Sequence, residues 1–322
     1  MKKGFIAKLA LSLGLLVFLL RQIDFSLLVR VLSAANLSDL AVALAVYLIS
    51  QVVSCARWAL LARPLGFVLP FKEYLSFYFI GMFFNLFAPS TVGGDASRVF
   101  YLAQGGKSHE AQWVKRTTAA SISVLADRAV GVAVLLWIGA AALIEFSAYD
   151  IPQVVRYLAY ACSVASVAGW FCLPFVNRLL GRRGFAVGEY VRLSFDAYWT
   201  DQRVILYAVA LSAVVHLIQA GIHVLLGRAL GLEIPLSYAL ILYPLVGLFS
   251  ALPLSVNGIG LRENGYLFFL KRAGVSAENA VAFALLWFLI VALDSLIGGV
   301  VYVLRKSPRP AQAALSEDIQ AR

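Results

Sequence analysis

Long apolar stretches and short polar interruptions alternate along the whole chain. The apolar segments run over Gly4–Leu20, Leu40–Ala56, Tyr74–Ala88, Thr117–Ile144, Val155–Val176, Ile205–Leu226, Leu236–Leu252 and Ala277–Leu304. A helix of about 20 residues crosses a bilayer core, and only helices and closed barrels satisfy their backbone groups there. The eight segments therefore predict an all-α, polytopic integral membrane protein. Phe25–Leu37 and Val187–Tyr198 instead mix apolar positions with Arg30, Glu189, Arg192 and Asp196 at helical spacing, which predicts helices lying in the headgroup layer.

Composition narrows the class. With 61% hydrophobic and 14% charged residues and a mean hydropathy of +0.85, the chain lies far outside the soluble range. Residues 1–306 read as one transmembrane domain with halves of roughly 1–150 and 151–306, followed by a polar tail at 307–322. The start, Met1-Lys-Lys-Gly-Phe5, resembles a signal peptide, but Arg21, Gln22 and Asp24 follow the apolar run at once and predict an uncleaved first span. Cys55, Cys162 and Cys172 all fall in apolar segments and make an odd count, so no disulfide framework is expected; they read as small hydrophobic residues.

The formal charge of +10 is spread over short loops rather than gathered on a polar domain, which excludes nucleic acid and points to anionic membrane lipid. The placement of that charge also bears on topology. If all eight segments cross, Lys and Arg divide almost evenly between the two sides in either orientation, against the cytoplasmic bias of inner-membrane proteins. If Tyr74–Ala88 and Leu236–Leu252 instead enter, break and return, most of the 27 basic residues become cytoplasmic, Arg57 and Arg63 among them. Arg21, Arg30, Arg156, Arg228, Lys271 and Arg272 then lie outside, with Lys8, Arg98, Arg128 and Arg262 at membrane depth. This arrangement has six full spans, two re-entrant hairpins, cytoplasmic termini and two halves of inverted topology; the alternative is eight spans.

The two break points carry the candidate chemistry. Pro89-Ser-Thr-Val-Gly-Gly-Asp-Ala-Ser-Arg98 and Pro253-Leu-Ser-Val-Asn-Gly-Ile-Gly-Leu-Arg262 share Pro89/Pro253, a hydroxyl at Thr91/Ser255, Val92/Val256, Gly94/Gly258 and Arg98/Arg262. Interrupted helices at matching places in two halves mark the substrate site of inverted-repeat transporters. Arg98 and Arg262 present planar forks suited to phosphate oxygens. Gly93, Gly94, Gly258 and Gly260 would let backbone approach an anion, with Ser90, Thr91, Ser255 and Asn257 as neighbouring polar groups. Asp95 and Glu263 are candidate resting partners for the arginines; Arg262 and Glu263, adjacent in sequence, are expected to point apart on a regular helix and pair elsewhere.

Asp127, Arg128 and Asp294 fall inside apolar segments, where ionisable residues either serve function or form structural ion pairs. His216, Gln219 and His223 share one helical face and suit helix–helix hydrogen bonding better than a proton relay. No metal site, cofactor motif, nucleophile constellation or phosphate-binding nucleotide loop is evident, so no catalytic residue, metal or cofactor is expected.

At Asn85–Arg98 and Leu252–Glu263 the chain resembles the flippase-like family defined by the transmembrane region of lysylphosphatidylglycerol synthetases. The resemblance carries Pro89, Gly93, Gly94, Asp95 and Arg98 in the first motif and Pro253, Ser255, Gly258, Gly260, Arg262 and Glu263 in the second. It implies lipid translocation. The sequence ends shortly after Leu304, so the aminoacyl-transfer activity of the bifunctional relatives is not expected. The resulting expectation is an inner-membrane transporter, not an enzyme, that moves a phospholipid or polyprenyl-phosphate type lipid. Its partners would be anionic lipids and, by the same resemblance, lipid or glycan-lipid biosynthetic enzymes. Two other readings stay open: a headgroup-modifying enzyme using Asp95, Asp127 and Glu263, and an accessory subunit of a lipid-synthesis complex.

Overall fold

The computed structural model describes residues 13–87, 92–104, 110–181, 192, 195–251, 255 and 258–305. Among them there is no strand. The helices are α1 (described over 13–20), α2 (Phe25–Ser33), α3 (Leu37–Ala62), α4 (Phe71–Phe87), α5 (Val92–Ala103), α6 (Glu110–Glu145), α7 (Gln153–Gly181), α8 (described over 195–200), α9 (Gln202–Ala229), α10 (Leu236–Ala251), α11 (Leu261–Arg272) and α12 (Ala277–Leu304). The chain is an all-α membrane protein.

Local chemistry sets the ends of these helices. Asp24 caps α2 by accepting from the backbone N–H of Ser26 and Leu27, Asn36 caps α3 through Ser38 and Asp39, and Ser276 caps α12 through Asn279. Such caps satisfy N–H groups that the first turn leaves unbonded. At the α6–α7 turn, buried Arg156 donates to the carbonyl of Leu143 in the last turn of α6 and to those of Ser147, Tyr149 and Ile151 in the connecting loop.

Five helical stretches are long and apolar enough to span a membrane: Leu37–Leu65, Trp113–Glu145, Gln153–Cys172, Gln202–Ala229 and Ala277–Leu304. They coincide with five of the six full crossings expected from the charge bias; the first segment, Gly4–Leu20, lies partly outside the described residues. The two segments expected to break are the short ones. α4 has 17 residues and α10 has 16, and each is followed by a 12-residue helix that packs back against it.

The packing is reciprocal between the halves. α3 and α9, which correspond in chain order, lie against each other at the centre; the α4 arm packs on α12, and the α10 arm packs on α6. Each hairpin is thus seated on the last long helix of the other half. In lipid no hydrophobic force drives helices together, so contact depends on close van der Waals fit at small residues. Gly298 on α12 sits so near the Phe79 carbonyl that any Cβ would overlap it, and Gly139 on α6 meets Pro244 of α10, where an added Cβ would lie 2.9 Å from the proline Cβ. α12 is the most enclosed span, with 56% of its apolar window buried, whereas α7, at 11%, presents most of its surface to lipid. Cys162 and Cys172 are exposed on α7, while Cys55 packs in the core with Trp58 and Tyr74.

Of the two predicted interfacial helices, α2 is a separate nine-residue helix resting against α12. Most of Val187–Tyr198 lies outside the described residues, although Tyr198 is buried and donates to the Leu61 carbonyl.

Candidate functional site

The α3 helix continues to Ala62, six residues beyond the predicted end of its apolar segment, and this corrects the reading of Arg57 as a cytoplasmic loop residue. Arg57 is 7% exposed and points inward, where its Nε donates to Asp127 Oδ1 at 2.8 Å and its Nη1 to Ser212 Oγ at 2.8 Å. Asp127 on α6 is itself buried, and its second oxygen accepts from Arg98 Nη2 at 2.8 Å. One carboxylate therefore joins a guanidinium from α3 to one from the first hairpin. A charged side chain survives in such a place only when it is paired and hydrogen-bonded.

Arg98 is further held by aromatic faces. Its guanidinium carbon lies 4.2 Å from the Trp58 ring centroid and 4.9 Å from that of Tyr78, and Trp58 is fixed in turn by donating to Ser123 Oγ. Arg98 Nε is buried without a hydrogen-bond partner among the described residues. Asp95, one helical turn before Arg98, stands 3.8 Å from Arg98 Nη1 but makes its hydrogen bonds to Arg128, which grips it in a fork at 2.6 and 3.0 Å.

The second motif is built differently. Arg262 and Glu263 were expected to point apart, but Arg262 Nη2 and Nε both donate to Glu263 Oε1, at 2.9 and 3.0 Å. The reason lies at the start of α11: Glu263, in the first turn, folds back so that Oε2 accepts the Gly260 backbone N–H at 2.7 Å. This is the glutamate half of a capping box, the only half open to a glycine cap, and it draws the carboxylate back beside Arg262. The Arg262 guanidinium also lies 5.0 Å from the Phe288 ring centroid.

These groups surround one cavity of about 440 Å³ between the two hairpins. Arg57, Tyr78, Asn85, Arg98, Asp127 and Arg128 line one side; Ile259, Arg262, Phe288, Val291 and Ser295 line the other, with His216 from α9. The lining combines the arginines and Asp127 with apolar side chains, among them Leu86, Val132, Leu135 and Phe288. Around it four guanidinium groups, Arg57, Arg98, Arg128 and Arg262, face three paired carboxylates, Asp95, Asp127 and Glu263, leaving net positive charge.

The predicted glycines act mainly in closing the hairpins. Gly94 lies against the Gly81 carbonyl of α4, so closely that a Cβ would overlap it, and its N–H donates to Asn85 Oδ1 at 2.9 Å. Gly258 and Gly260 adopt positive φ of 76° and 84° to turn the chain into α11, and Gly93 is half-buried on α5. Ser255 is buried with its Oγ unpartnered among the described residues. Pro89, Ser90, Thr91, Pro253 and Asn257 lie outside the described residues. Among the described residues no group of His, Cys, Asp and Glu is arranged to hold a metal ion.

His216, Gln219 and His223 make the expected interhelical bonds. The Gly131 carbonyl accepts from His216 Nε2 at 2.9 Å, which leaves Nδ1 to accept from Tyr243; the Gln219 carbonyl accepts from His223 Nδ1 at 2.8 Å, which leaves Nε2 to accept from Tyr266. Gln219 donates to Ser50 Oγ of α3.

The network residues that the sequence reading missed are Arg57, Trp58, Tyr78 and Ser212. Arg57 had a signal: Trp58-Ala-Leu-Leu-Ala62 continues the apolar run beyond it, so the charge is embedded rather than terminal. Trp58, Tyr78 and Ser212 carried none, being ordinary residues of apolar helices.

Residues 5–298, including both hairpins and every residue lining the cavity, match the family described as Lysylphosphatidylglycerol synthase TM region. The chain belongs to this family. Among curated proteins compared by sequence, none matches. Membership of this synthase transmembrane-region family identifies a membrane domain associated with lipid functions, and the cavity is formed within the family region itself.

Proposed function

We propose that this protein moves a phosphate-bearing lipid, of the phospholipid or polyprenyl-phosphate type, across the inner membrane. The observation that carries the reading is the convergence of Arg98 and Arg262, from matching motifs in the two halves, on one cavity with net positive charge. Arg98 Nε is a buried donor awaiting an acceptor, and a phosphate oxygen is the acceptor whose geometry and charge fit a guanidinium. The apolar part of the lining suits the upper acyl chain, while the rest of the tail stays in lipid. Asp95, Asp127 and Glu263 are each clamped by arginine, which argues against their use as general acids or bases and favours transport over headgroup chemistry. Recruitment of lipid or glycan-lipid biosynthetic enzymes belongs to the same reading.

The test is reconstitution in liposomes carrying head-labelled phospholipids or polyprenyl phosphates, read as loss of inner-leaflet protection against a membrane-impermeant quencher. Wild type is expected to expose one lipid class, and folded Arg98→Gln and Arg262→Gln variants to lose at least about tenfold in rate, the loss of ~1.4 kcal/mol from a charge-assisted contact. Variants that match wild type would overturn the role of the arginines.

A further inference from the structure

Asp294 stands apart from every other buried carboxylate described. Asp127 holds two guanidiniums, Glu263 holds Arg262 and a backbone N–H, and Asp39 holds Arg228. Asp294 is wholly buried in the middle of α12, yet neither carboxyl oxygen has a hydrogen-bond partner among the described residues. Two turns before it, on the same face, Trp287 contacts Tyr47 of α3 and His223 of α9; one turn after it, Gly298 meets the Phe79 carbonyl of α4. The carboxyl thus sits in a closed slot facing α3 and the hairpin arm α4, while its neighbours Val291 and Ser295 line the cavity.

The ionisable groups on the surrounding elements are engaged elsewhere. On α3, Arg57 is bound to Asp127, and Tyr47 packs edge-on against the Trp287 ring of α12. On α4, Glu73 pairs with Arg305 and Tyr78 hydrogen-bonds Ser54. On α9, both histidines are fully bonded; on α11, Arg262 and Glu263 hold each other; and Arg30 on α2 is exposed at the protein surface. No cation neutralises Asp294 among the described residues, and an ionised carboxylate without a partner is among the least tolerated groups in an apolar interior.

We infer that Asp294 is a proton-binding site, closed and protonated in this conformation, that loads and releases a coupling proton as the α4–α5 hairpin moves on α12. When α4 shifts off Gly298, water reaches the slot; the carboxyl O–H bond breaks, the proton passes to water, and the carboxylate remains until the slot closes on a new proton. A carboxyl is required for this cycle, whereas leucine or asparagine would fill the slot without the ability to titrate. The coupling role rests on the transport reading above; the proton site itself does not.

Two measurements separate these claims. In nanodiscs at neutral pH, the infrared spectrum of the purified protein is expected to contain a protonated-carboxyl C=O band, sensitive to deuterium exchange, that is lost in Asp294→Asn. An identical band in the variant would mean that Asp294 is ionised and would overturn the proposal, whatever lipid the protein moves. In liposomes, the leaflet ratio of the transported lipid is expected to shift about tenfold per pH unit of imposed gradient, the limit for one proton per lipid, and Asp294→Asn is expected to equilibrate lipid without responding to the gradient. A variant that keeps the gradient response would overturn the coupling role. If no lipid moves at all, the transport reading fails while the infrared comparison still decides the proton site.

Discussion

Arg98 and Arg262 occupy the same place in matching motifs, yet they are held in opposite ways. Arg98 is 6% exposed, flanked by Trp58 and Tyr78, and tied through Asp127 to Arg57 on a third element. Arg262 is only half-buried, and its carboxylate partner is the next residue in the chain. The first arginine is fixed by an ion network between helices; the second carries its own counter-charge and meets α12 through the face of Phe288 rather than through an ion pair. A local backbone difference underlies this: α5 begins at Val92, ahead of its glycines, whereas α11 begins at Leu261, after them. The first hairpin therefore extends its helix through the motif and aims Arg98 into the bundle, while the second spends its glycines on a turn. In this pair of matching motifs, one arginine is tied into a network that spans helices and the other is paired within its own turn.

The sharpest way to break this comparison is to remove the carboxylate that ties Arg98 to Arg57. Asp127→Leu strands two buried guanidiniums and is expected to destabilise the folded protein by about 3–5 kcal/mol, read as a large drop in thermal unfolding temperature in detergent. A shift no larger than that of a surface substitution would show that the ion network is not structural. Next in size is the hairpin contact itself. Gly94→Ala drives a Cβ into the backbone of α4 and is expected to cost toward the upper end of ~1–3 kcal/mol. Gly258→Ala, which meets the Ser250 carbonyl at 3.0 Å and must hold positive φ, is expected to cost about 1–2 kcal/mol. Equal effects would remove the structural distinction between the two hairpins.

The smallest and most discriminating effect separates the arginines. Arg98→Gln loses its contacts to Trp58 and Tyr78 and one bond to Asp127, for about 2 kcal/mol of stability. Arg262→Gln leaves the Glu263–Gly260 bond in place and keeps an amide donor beside Glu263, so it is expected to cost about 1 kcal/mol. Both are expected to slow lipid movement, so unfolding and transport measured on the same preparations would divide the structural role from the lipid-binding one. Comparable losses of stability would sink that division.

Much of the fold was legible in the chain because a bilayer admits few solutions. Uninterrupted apolar runs must become helices, and the segments ending at Pro89 and Pro253 became the two short arms, α4 and α10. The candidate site was legible only in part. Asp127 and Arg128 were recognisable because charge within an apolar run is conspicuous, and Arg98 and Arg262 because they close the two matching Pro/Gly motifs. Arg57 was misread because it follows closely on the predicted end of a segment, and the Arg262–Glu263 pair because an ideal helix separates adjacent side chains, whereas a capping carboxylate at the first turn bends back toward its neighbour.

What the sequence determined by itself is the set of helices, the two breaks and the list of charges that must be neutralised within the membrane domain, since these follow from hydropathy and backbone rules acting over a few residues. Which charge neutralises which was decided by tertiary structure. Asp127 is separated in the chain by 70 residues from Arg57 and by 29 from Arg98, and it meets both only because α3, α5 and α6 pack around one point. The same packing left Asp294 without a partner. Pairing at short range depends on how helices seat on small residues, and that is a property of surfaces in contact rather than of any one stretch of chain.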